Sequence, residues 1–123
     1  MTFPELTALA ESTVSMIQRK LPDVLRSLAQ GLPVVYHAWP SDEILGDEFD
    51  PDILGMFVGA PHGLENAGSA EVPPHILLFL ENIWDCAEGD RDLFAREVKL
   101  TYLHELGHYL GWDEDEVAAR GLE

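Results

Sequence analysis

Cationic side chains are scarce in this chain. Seven lysines and arginines stand against 23 aspartates and glutamates in 123 residues, a formal net charge of −16. A field of that sign repels phosphates, which argues against a nucleic-acid partner. Its first consequence is solubility, and its second is attraction of divalent cations and basic peptides. Cysteine is nearly missing too. Cys86, the one cysteine, cannot close an internal disulfide, in keeping with a reducing compartment, and its expected state is a partly buried free thiol rather than a metal ligand. No apolar stretch is long enough to cross a bilayer. The start, Met1-Thr2-Phe3-Pro4-Glu5, shows no basic segment followed by an apolar run, so a cytoplasmic protein with no membrane partner is expected. Repeats and low-complexity tracts are also lacking. With 46% hydrophobic residues, residues 1–123 are expected to form one domain around one core.

What is present is a pair of histidines in a pattern that names a chemistry: His104-Glu105-Leu106-Gly107-His108. At 3.6 residues per turn, side chains four apart leave one face of a helix about 6 Å from each other, so both imidazoles can meet one small cation. Glu105 sits roughly 100° further round. That position suits it poorly as a ligand and well as a base that takes a proton from a metal-activated water. Zinc is the expected metal, as in other helices with this spacing.

The surroundings favour a helix. From Asp90 to Gly111 there is no proline, the start is acidic and the end is a glycine. On its wheel Glu97, Thr101, His104 and His108 form one narrow polar stripe, while Leu100, Tyr102, Leu103, Leu106, Tyr109 and Leu110 fill most of the rest. Such a helix is expected to be largely buried, with a polar slot where a metal and water would sit.

Zinc hydrolases use three protein ligands, and little chain follows His108. A glutamate from a second helix some twenty residues on, or a methionine turn beneath the metal, would fall beyond Glu123. The candidates are therefore local. Gly111 is expected to take a left-handed conformation that ends the helix. Asp113 and Glu116 have capping-box spacing, with Arg120 and Gly121 suited to the end of the helix so begun. Glu114 has no capping role and is the first candidate, followed by Asp113 and then Asp115. Should none bind, the run is a solvated helix start.

The segment His104-Glu105-Leu106-Gly107-His108-Tyr109-Leu110-Gly111-Trp112-Asp113-Glu114 resembles the His-Glu-x-x-His-x-x-Gly-x-x-Asp/Glu signature of the minimal zincin-like metallopeptidase family, a group of short, mostly bacterial proteins. Leu54-Gly55-Met56-Phe57-Val58-Gly59 is similar to a Leu-Gly-aromatic-x-Gly stretch of that family, although Met56 here precedes the aromatic. Pro73-Pro74-His75-Ile76-Leu77-Leu78-Phe79 resembles the family's strand before its catalytic helix, and the likeness extends over roughly residues 20 to 121. It implies zinc held by His104, His108 and Glu114, with Glu105 as the catalytic glutamate. Many relatives have aspartate at the position of Glu114. The resemblance implies a peptidase but supplies no substrate.

The remaining chain reads as scaffold. Leu6, Leu9, Ala10, Val14 and Ile17 recur at helical spacing from Pro4 to about Lys20. Leu21 to Gly31 forms a second short helix or continues the first after a kink at Pro22. Leu32 to Trp39 is expected as a strand, Asp42 to Asp52 as an acidic surface loop, Ile53 to Val58 as a weak strand, Gly59 to Pro73 as a loop and His75 to Asn82 as a stronger strand. The expected fold is α+β: a small mixed sheet packed on an N-terminal helix and the His-Glu-x-x-His helix, with an edge strand available to an extended peptide.

The function expected from these features is zinc-dependent hydrolysis of a peptide or protein substrate. Tyr102, Tyr109, His75 and His62 are the side chains considered as extra donors to a reaction oxyanion, none of them singled out. A zinc-binding protein without catalysis and an acidic interaction protein that mimics polyanions are the competing classes. A metal-dependent ribonuclease is disfavoured by the net charge. No oligomeric state follows from the sequence.

Overall fold

The computed structural model describes residues 1–46, 50–59 and 73–111. The chain opens with helix α1, Phe3–Lys20, whose start is fixed by a reciprocal cap. The Glu5 backbone N–H donates to Thr2 Oγ1 at 3.3 Å, and the Thr2 backbone N–H donates to Glu5 Oε1 at 3.2 Å. Leu6, Ala10, Val14 and Ile17 are its buried side chains, the stripe expected from the periodicity, with Leu9 partly buried beside it. Helix α2, Asp23–Gln30, is a separate element bounded by Pro22 and Gly31.

Three strands form one mixed sheet in the order β1-β3-β2. Strand β1, Val34–His37, runs parallel to β3, His75–Phe79, with Val34 opposite Ile76. Strand β2, Gly55–Val58, lies antiparallel to β3 on its other side, with Phe57 opposite Ile76. The central strand is apolar without alternation because both its faces are covered: Ile76, Leu77, Leu78 and Phe79 are all buried. The expected α+β architecture is therefore present: the histidine-bearing helix α5, Arg91–Tyr109, packs on β2 and β3 of the three-stranded sheet, and α1 packs on α5.

Four expectations are corrected. The strand foreseen from His75 to Asn82 ends at Phe79, and Leu80–Cys86 forms helix α4. The apolar run continues across that junction, and Phe79 caps α4 without a side-chain hydrogen bond, so no local signal marks the change. Asn82 faces back toward β2, its Nδ2 donating to the carbonyls of Pro51 at 2.8 Å and Ile53 at 2.9 Å. The acidic loop foreseen from Asp42 begins with one helical turn, α3, Asp42–Leu45, capped by Ser41 Oγ, which accepts from the Ile44 backbone N–H at 3.2 Å. Strand β1 is also shorter than foreseen, and Cys86 is exposed rather than partly buried.

Helix α5 packs on α1, α4, β2 and β3. Asp90 Oδ1 caps it by accepting from the backbone N–H groups of Asp92 and Leu93 at 2.9 and 3.0 Å. Phe94, Val98, Tyr102, Leu103, Leu106 and Tyr109 are buried, too wide an arc for a surface helix and in line with the narrow polar stripe read from the sequence. Past its end Gly111 has φ +76°, the left-handed conformation expected there.

Candidate metal centre

The last two turns of α5 bring the two histidines together. His104 Nε2 and His108 Nε2 lie 3.1 Å apart, with ring centroids separated by 4.6 Å and ring planes inclined by 53°. Two nitrogens bound to one zinc at about 2.0–2.1 Å in tetrahedral geometry stand about 3.3–3.4 Å from each other. The pair therefore fits a shared cation by donor type and spacing. Among the described residues no third histidine, cysteine or carboxylate gathers with them into a group of metal-binding size. Glu114, and the alternatives Asp113 and Asp115, lie outside the described residues.

Glu105 meets a neighbour that its position on the helix does not reveal. It is only 8% exposed, the one buried charged residue among those described. Its Oε1 stands 4.0 Å from His108 Nδ1, and its carboxylate is hydrogen-bonded from the Phe57 backbone. The register explains why that amide is available. The Phe79 N–H donates to the Leu54 carbonyl at 2.9 Å, so Leu54, Met56 and Val58 are the residues bonded to β3. The N–H groups of Gly55 and Phe57 consequently point off the sheet's edge, and Glu105 meets the second of them. Burial pushes the Glu105 carboxyl above its ordinary range, while His108, His104 and the Phe57 N–H pull the other way.

Thr101, in the polar stripe of α5, packs on Gly55. A β-carbon on Gly55 would come within 2.6 Å of Thr101 Cγ2, so only glycine allows the helix this close to β2. Neither the Phe57 amide nor this close approach was foreseen from the motif. The signal that could have found them is the Leu54-Gly55 pair, a glycine inside a strand pattern that marks close approach of another element.

The candidate oxyanion donors part company. Tyr102 is fully buried, and its hydroxyl accepts from Gln18 Nε2 of α1 at 3.1 Å. Tyr109 is buried with its ring 5.7 Å from that of Phe57, beside the Glu105 contact. His75 opens β3, with Nδ1 2.9 Å from the Pro73 carbonyl. His62 lies outside the described residues.

A three-stranded mixed sheet, a long helix packed on it that bears paired imidazoles with a buried glutamate between them, and an N-terminal helix packed on that helix define an α+β protein with the motif of zinc hydrolases. The family model described as zincin-like metallopeptidase matches residues 29–122, most of the chain, and the protein belongs to that family. No curated protein matches the chain. Among the described residues no helix is long and apolar enough to cross a membrane.

Proposed function

We propose that the chain is a zinc-dependent peptidase in which His104, His108 and Glu114 hold the metal and Glu105 serves as general base. The observation that carries this reading is the 3.1 Å separation of the two imidazole nitrogens, on the same helical turn as a buried carboxylate. When bound, zinc supplies the Lewis acidity that makes water nucleophilic near neutral pH and polarises a carbonyl.

The chain's own residues do the rest. The Phe57 backbone N–H holds the Glu105 carboxylate on one side of the pair, and His108 Nδ1 lies 4.0 Å from its Oε1. From there Glu105 accepts a proton from the attacking water and returns it to the departing amine. Burial keeps bulk water from competing for that proton. The substrate is an extended peptide laid along β2, the antiparallel edge of the sheet, and pairs with outward backbone groups other than the Phe57 N–H, which Glu105 engages. Backbone groups at such an edge bind main chain without regard to side chains, which suits an enzyme that cuts peptide bonds.

Glu105→Gln tests the reading. The variant is expected to keep stoichiometric zinc and to lose turnover of a mixed peptide library by at least about a hundredfold, followed by mass spectrometry. Full activity in the variant, or no cleavage by the zinc-loaded parent, overturns the proposal and leaves a zinc-binding protein without catalysis.

A further inference from the structure

Three of the chain's seven basic residues converge on one groove away from the histidines. A cavity of about 440 Å³ lies between α1 and α5, with Met16, Ile17 and Lys20 on one wall and Arg96, Lys99 and Leu103 on the other. Ile17 and Leu103 are buried and form its floor, while Met16 is 50% exposed at its lip. Lys20, Arg96 and Lys99 are exposed at the rim. No acidic side chain is among its described lining residues, and no ion pair among the described residues engages any of the three cations. In a molecule of net charge −16, this is a local reversal of sign laid over apolar surface.

We propose that this groove docks an acidic, amphipathic helical segment of a partner protein. Its walls are helical stripes, Met16 to Lys20 on α1 and Arg96 to Leu103 on α5, and the α5 wall is roughly 10 Å long at 1.5 Å per residue. That length takes about two turns of a third helix, whose apolar side chains at i, i+3, i+4 and i+7 would replace water over Ile17 and Leu103. Cations stand on both walls, so acidic residues on both flanks of the incoming helix find partners. A ligand with one carboxylate would leave most of the rim charge unmatched. With four basic against 23 acidic residues outside it, the rest of the molecule disfavours such a segment, which gives the groove selectivity. The inference is independent of zinc and of peptide cleavage.

Two fourteen-residue helical peptides test it, one with leucine at i, i+3, i+4 and i+7 and glutamate at the flanking positions, the other its twin with lysine for every glutamate. With the zinc-loaded full chain, the acidic peptide is expected to bind one to one and to shift the amide NMR signals of residues 13–21 and 95–103. Lys99→Glu and Lys20→Glu are each expected to weaken it by about tenfold, whereas Arg91→Glu, an equal change of net charge outside the groove, leaves affinity within about twofold. All three side chains are exposed, and circular dichroism checks that each variant remains folded. The proposal is overturned if the lysine twin binds the groove equally well, or if Arg91→Glu weakens binding as much as Lys99→Glu. It also fails if decanoate shifts these signals when the acidic peptide does not, or if sedimentation shows this face to be a contact between two copies of the chain.

Discussion

Thr101 of α5 rests on Gly55 of β2 so closely that a β-carbon added at Gly55 would lie 2.6 Å from Thr101 Cγ2. Thr101 is one turn before Glu105, so this contact sets how near the helix lies to the strand whose Phe57 amide meets the glutamate. Gly55→Ala also brings the new methyl to 3.0 Å from the Leu77 carbonyl oxygen and 3.2 Å from Leu78 Cδ2. Overpacking of this kind costs about 1–3 kcal/mol, and urea denaturation is expected to show a loss in that range. Thr101→Ser removes the nearest obstacle, so in the alanine background it should recover part of the loss. Strictly additive effects of the two substitutions would show that the helix and strand do not meet here.

The elements whose local signals agree with their packing were legible. Helix α1 carries its stripe of Leu6, Ala10, Val14 and Ile17, and α5 runs from the Asp90 cap to its end just before Gly111, with the histidines on one face. Helix α4 was not legible, because Leu80 and Ile83 prolong the apolar run of β3 and no capping side chain announces the turn. At the site, helical spacing places His104 against His108 by local geometry alone. The burial of Glu105 depends instead on β2, nearly fifty residues earlier. A pattern within α5 carries no information about which strand edge comes to rest against it.

Tyr102 separates structure from chemistry on the same helix. Its hydroxyl accepts from Gln18 Nε2 of α1 within the core, and burial, opposed by that bond, raises its pKa. Tyr102→Phe keeps the ring and removes one hydrogen bond, so unfolding free energy should fall by about 1 kcal/mol. Zinc uptake and peptide turnover are expected to be unchanged. A tenfold loss of turnover at full zinc loading would instead place the hydroxyl in the reaction.

Tyr36 on β1 sets an alkaline limit. Burial, with Glu11 and Tyr102 nearby, pushes its phenol up to about 12 from the ordinary value of 10. Between those values the unfolded chain has released a proton that the folded chain retains, so stability falls as pH rises. The contribution is intact below pH 10 and is lost on passing through about 12. Chemical denaturation across that range should show the decline, and Tyr36→Phe should flatten it. Absorbance at the tyrosinate band should resolve one midpoint near 12 in the wild-type chain that is missing from the variant.

Zinc itself provides the last test, because a metal that binds only the folded chain adds to its stability. At a free concentration a hundred times its dissociation constant, the gain is about 2.7 kcal/mol. His108 is exposed, so His108→Ala should change the metal-free chain by no more than about 0.5 kcal/mol. The same variant should abolish the zinc-dependent gain, since it removes one of the two nitrogens 3.1 Å apart. Alanine substitutions at Glu114, Asp113 and Asp115 then identify the acidic ligand. Loss of a direct ligand is expected to weaken zinc by about a hundredfold or more, whereas loss of a neighbouring carboxylate changes mainly the local field and its effect is screened by salt. Competition with a chromophoric chelator at low and high salt should rank Glu114 first at both. If Asp113→Ala alone shows the large, salt-independent loss, the third ligand is the aspartate five residues beyond His108 rather than the glutamate after it.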